Sequence, residues 1–211
     1  MGNLRDLIGK KVIKQKILLT EDHSEDLFTL SLGLTVAVKK IFRKIGDVRL
    51  SQEPAMEKKP ITSFMSRMRI DAMEKFNNPT VFSVVHFYQN KKKQEKNNPV
   101  GFLIVYVEKK FIPELLRLLK YPYIDNDDDE AVKDGCGTLC NLIAGYFKNE
   151  ISRLGYAELE MSHFHSYINS IADGVELPAN PTDKYEISYS IEDKKRLVTE
   201  TVMTPLVRKT V

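Results

Sequence analysis

Apolar residues recur along this chain at two different periods, and the switches between them mark out its elements. Leu27, Leu30, Leu34, Val38 and Ile41 follow one another at spacings of three and four. That is the period of one helix face, so residues 25–44 read as an amphipathic helix. Ser24 stands ahead of it as an N-cap. Lys39, Lys40, Arg43 and Lys44 crowd its last turn and Gly46 ends it, as helix electrostatics favour. By contrast, residues 80–88 (TVFSVVHFY) and 100–107 (VGFLIVYV) are continuous β-branched and aromatic runs, the composition of buried strands. The charged stretch 89–99 lies between them. The pair therefore predicts a long hairpin with Lys91, Lys92 and Lys93 at a solvated tip.

The remaining segments complete the outline. Residues 47–60 carry two prolines and read as a loop, and residues 61–73 alternate loosely as a strand. Residues 111–119 have a short-helix pattern that stops at Tyr121 and Pro122. Residues 157–166 alternate as a strand, and residues 174–183 form a proline-containing loop. Residues 185–191 and 196–203 make a closing hairpin about Glu192, Asp193 and Lys194. Residues 1–19 suit a short helix or a strand equally and are set apart as an N-terminal extension of unknown role. Residues 20–211 are taken as a single domain. Strands joined by tight turns, with helices grouped between them, predict an α+β fold with a mostly antiparallel sheet.

One helix stands out. Residues 130–154 read EAVKDGCGTLCNLIAGYFKNEISRL, bounded by an acidic run before and Gly155 after. At about 100° per residue, Asp134, Thr138, Asn141 and Gly145 fall along one side. Cys136, Cys140, Ile143, Phe147 and Leu154 fall along the other. A helix that buries one stripe usually shows water a mixture of Lys, Glu and Gln. This helix shows short polar groups and glycine, the surface of a helix against which something packs closely.

Composition narrows the picture by exclusion. Of 211 residues, 42% are apolar and 29% charged, and the net charge is +3. The charge balance is too even to indicate nucleic acid or a membrane surface. No run approaches the roughly 20 apolar residues of a membrane span, and the first residues lack the apolar core of a secretory signal. The two cysteines stand four apart on one helix, a spacing for helical neighbours rather than a disulfide. A reduced, cytoplasmic setting is expected.

The stripe resembles the signature of the CheC/CheX/FliY family of bacterial chemotaxis phosphatases. That signature is an acidic or serine residue, a glutamate four positions on, and an asparagine three after that. Asp134 and Asn141 match it, and the string from Asn141 to Gly145 (NLIAG) is similar to the family's. Thr138 stands in place of the glutamate. The family's proline at the end of the following strand is also absent, since the chain reads Ser162-His163-Phe164.

The resemblance implies a CheX-like α+β domain that inserts this helix into a phosphorylated, CheY-like response regulator and hydrolyses its aspartyl phosphate. On this reading Asn141 directs the attacking water, and Thr138 and Asp134 support it. Gly137, Gly145 and Lys148 contact the partner. No cofactor of the chain's own is implied, because the Mg2+ belongs to the receiver. Pairing of two copies through sheet edges or exchanged strands is also compatible with the resemblance. In the family the glutamate pairs with the receiver's lysine. A threonine loses that charge-assisted contact, worth roughly 1.5–3 kcal/mol, or about one to two decades in rate. Asp134, one turn earlier on the same face, is the candidate replacement. The alternative is a non-catalytic module that docks on a receiver or serves in an assembly.

Other constellations fit structural roles better. Cys136 and Cys140 with His163 and His165 have zinc-ligand chemistry, yet both thiols sit in the centre of the apolar stripe, where cysteine packs as a small apolar group. The run from Asp125 to Glu130 lacks the glycine and glutamate spacing of a calcium loop and reads as helix-capping. No glycine-rich phosphate loop or HExxH motif is present.

Overall fold

The long central strands β4 (Thr80–Tyr88) and β5 (Gly101–Glu108) are antiparallel partners, with Val84 opposite Ile104. Around them the computed structural model, which describes residues 23–169, 174–178 and 181–209, builds the predicted α+β architecture. The extension 1–19 lies outside the described residues. Helix α1 (His23–Lys44) is followed by β1 (Ala55–Pro60), β2 (Ser63–Phe64), β3 (Arg67–Met68) and α2 (Ala72–Phe76). After β4 come α3 (Lys91–Glu95), β5, α4 (Ile112–Leu118) and α5 (Asp129–Arg153). Strands β6 (Glu160–Met161), β7 (His165–Ile168), β8 (Val175–Glu176), β9 (Asp183–Ile191) and β10 (Lys194–Met203) follow. The main sheet runs β1-β9-β10-β5-β4-β6, with β7 also on β4, and its pairings are antiparallel.

Both faces of the sheet are covered. Val81, Val85 and Phe87 of β4 point into the larger core, with Leu34 and Ile41 of α1 and Cys140 and Phe147 of α5. The alternate residues Phe82 and Val84 point into a second core, under α2 and the small sheet β2-β3-β8. This double burial is why β4 and β5 carry apolar residues continuously rather than alternately.

The second layer also holds a buried charge network. Glu200 of β10 is 0% exposed. It accepts from Lys75 and Lys184 at 2.7 Å each and from the Tyr106 hydroxyl at 2.6 Å. Glu186 pairs with Lys59 at 2.7 Å and with Lys75. Burial opposes charge on Glu186, but the hydrogen bonds from Lys59 and Lys75 outweigh it and hold its carboxyl down at about 2.

Five local expectations are corrected. The loop at 47–60 contains edge strand β1, paired with β9 from Ala55 opposite Ser188 to Pro60 opposite Asp183. Its charged residues and terminal proline suit a sheet edge. The loose strand at 61–73 is two short strands and the start of α2. The hairpin tip is a short helix, α3, capped where the Asn90 side chain accepts from the Lys93 N–H at 3.0 Å. The strand at 157–166 is broken in two, β6 and β7, with residues 162–164 crossing between them. Ser24 falls inside α1, which starts at His23.

Candidate functional site

Helix α5 is fixed at both ends and along its inner side. The Asp128 carboxylate accepts from the N–H groups of Glu130 and Ala131, both at 3.0 Å, so the acidic run caps the helix. Gly155 follows the last turn at φ +93°, the left-handed conformation that glycine supplies at helix ends. Val132, Cys136, Cys140, Ile143, Phe147 and Ile151 are all 0% exposed. With that side locked in the core, the opposite side holds its orientation.

Asp134 and Asn141 are exposed, and Thr138 and Lys148 are half-buried. Residues three and four apart on a helix hold their Cβ atoms about 5–6 Å apart, so Asp134, Thr138 and Asn141 form one continuous line. Among the described residues, no side-chain hydrogen bond or ion pair engages these three. A Cβ built at Gly145 meets nothing within 4 Å, so this end of the line is open. The structure therefore brings together Asp134, Thr138, Asn141, Gly145 and Lys148 on one accessible surface.

Gly137 does not belong to that surface. It is buried, and a Cβ there would stand 2.1 Å from Cε2 of Phe164 and 2.2 Å from its Cδ2. The ring of Phe164, from the crossing between β6 and β7, occupies the space that a side chain at this position would take. The role of Gly137 as a partner contact is replaced by an internal one: it seats an aromatic ring. Gly135 seats aliphatic side chains on the other flank, where a Cβ would lie 2.8 Å from Leu116 Cδ1 and 2.9 Å from Ile124 Cδ1. Spacing along α5 marks both glycines as small. It does not reveal which distant residue covers each.

The thiols are core groups. The Cys140 thiol donates to the Ser83 carbonyl at 3.4 Å, and burial pushes the Cys136 thiol up to about 12. His165 pairs opposite Val84, which faces the second core, so the sheet separates it from the thiols. Among the described residues, no three His, Cys, Asp or Glu side chains gather as a metal site. His165 and His86 instead line a pocket of about 180 Å³ behind the sheet, with Arg67, Asn97 and Glu176. No helix of the described residues is long and apolar enough to cross a membrane.

No family model and no curated protein sequence matches the chain. Solved structures do. A CheC-like superfamily protein from Shewanella sp. PV-4 is 15% identical over 82% of this chain and 96% of its own, with a TM-score of 0.53. FliY from Thermotoga maritima is 14% identical over 89% of this chain and 92% of its own, also with a TM-score of 0.53. At such identities the likeness is one of fold.

Proposed function

We propose that this chain, which has the CheC/CheX/FliY fold, docks the exposed line of α5 on a phosphorylated response-regulator receiver and hydrolyses its aspartyl phosphate. One observation carries this reading: Asn141 stands exposed and unengaged, between Thr138 and the open Gly145, on a helix whose other side is locked in the core. Hydrolysis of an acyl phosphate needs an in-line water and stabilised charge more than covalent help. A carboxamide donates and accepts hydrogen bonds together, so it can orient a water and a phosphoryl oxygen at once. The metal ion that neutralises the phosphate belongs to the receiver.

Thr138 supplies a hydroxyl where the family's signature has a carboxylate. Asp134, one turn away on the same line, takes the contact with a cation of the receiver. The decay of a phosphorylated receiver, followed by phosphate release, tests the assignment. Asp134→Ala slows decay by about one to two decades, the value of one charge-assisted contact. Thr138→Glu accelerates it. A rate untouched by Asp134→Ala removes Asp134 from the mechanism.

The same threonine favours a second reading, in which the helix docks without chemistry. Receiver binding with decay no faster than that of the receiver alone supports that reading over hydrolysis.

A further inference from the structure

We infer that Phe164 is a positioning residue for Asn141, holding its carboxamide in the orientation that hydrolysis needs; this rests on the reading of α5 as the docking helix. Strand alternation sets the ring's direction. His165 lines the pocket behind the sheet and Tyr167 stacks on Phe82 of the second core. Ser166, between them, faces the other way, where its hydroxyl meets that of Ser83 at 2.6 Å, and Phe164, two positions before Ser166, falls on that same side. Phe164 therefore faces α5, where its ring packs against the larger core and lies on Gly137.

Gly137 and Asn141 are four residues apart, so they occupy the same helix flank one turn from each other. Helical side chains lean toward the N-terminus and cover the preceding turn. The Asn141 carboxamide thus leans over the turn that carries the Phe164 ring. The ring forms a wall on one side of it, while the side toward Thr138 and Gly145 stays open to a partner. A wall on one side removes rotamers that would turn the carboxamide away from the docking surface. Only glycine at 137 permits this seat, because the ring carbons Cε2, Cδ2 and Cζ lie 2.1, 2.2 and 2.6 Å from where a Cβ would be.

The side-chain amide resonances of Asn141, assigned by their loss in Asn141→Ala, read the contact without reference to activity. The ring displaces them in the wild type, and they relax toward ordinary asparagine positions in Phe164→Ala, Phe164→Leu and Gly137→Ala. Phe164→Leu keeps an apolar cover, so it serves where Phe164→Ala fails to fold. In the receiver assay all three variants lower the rate at saturating receiver by about ten- to a hundredfold, the upper value being the scale of a catalytic group misplaced by about 1 Å, with KM within about twofold. Asn141 resonances unmoved by loss of the ring, or a loss confined to KM, overturn the inference. A wild type without activity overturns the hydrolytic reading instead, and the resonances then decide the positioning contact alone.

Discussion

Gly145→Ala separates what α5 does for the fold from what it does for a partner. In the middle of a helix, glycine costs roughly 0.5–1 kcal/mol relative to alanine. At Gly145 a new Cβ meets nothing within 4 Å, so no overpacking offsets the gain. The variant is therefore more stable by about 0.5–1 kcal/mol. That is roughly two- to fivefold in the folding equilibrium, or about 1–4 °C in Tm at this chain length. Docking responds with the opposite sign. If a receiver surface packs directly against this position, the extra methyl overpacks the contact by about 1–3 kcal/mol. Receiver affinity then falls between about fivefold and 150-fold. Urea denaturation followed by circular dichroism measures the first effect, and titration with a stably phosphorylated receiver mimic measures the second. A loss of stability would show that the fold itself needs glycine at 145. Unchanged affinity beside raised stability would remove Gly145 from the docking surface.

Three further outcomes follow from buried groups. Cys136 and Cys140 are fully buried, and burial raises Cys136 to about 12, so a thiol reagent labels neither in the native protein and both after denaturation; fast native labelling contradicts the core assignment. Glu186 sits at about 2 rather than 4.5, so its contribution is complete above about pH 4.5 and lost as pH falls through 2. Glu186→Gln flattens the stability profile in that window, and an unchanged acid slope refutes the network's role. His86 is lowered from 6.5 to about 4, by burial first and then by His165 and Arg67, so stability present above pH 6.5 is lost as pH falls toward 4. An imidazole NMR titration with a midpoint near 6.5 contradicts that.

Much of the fold was legible because its central elements are buried in a regular way. Strand β4 has the limits its composition predicts, residues 80–88, since both of its faces meet apolar layers. The inner side of α5 was equally readable from Cys136, Cys140, Ile143 and Phe147. What escaped lacks such a signal. Strand β1 (AMEKKP) is an edge strand with one partner, held by backbone bonds to β9, and its lysines and proline look like a loop. Helix α3 has no buried residue, so no apolar period announces it.

The candidate site divides in the same way. Its exposed line is local, set by helix period alone, and needed no tertiary knowledge. The burial of Gly137 is non-local. Phe164 arrives from 27 positions later in the chain, brought by the pairing of β7 with β4. A glycine in a polar stripe reads as an open contact until its cover is known.

The most direct test is the decay of a purified phospho-receiver with wild-type protein, with Asn141→Ala, and with no addition. The account predicts acceleration by the wild type and a loss of about two decades or more in Asn141→Ala, the scale seen when one preorganised donor is removed, with the variant's folding midpoint unchanged. Equal decay with and without the wild type, or an Asn141→Ala variant as fast as the wild type, would contradict it.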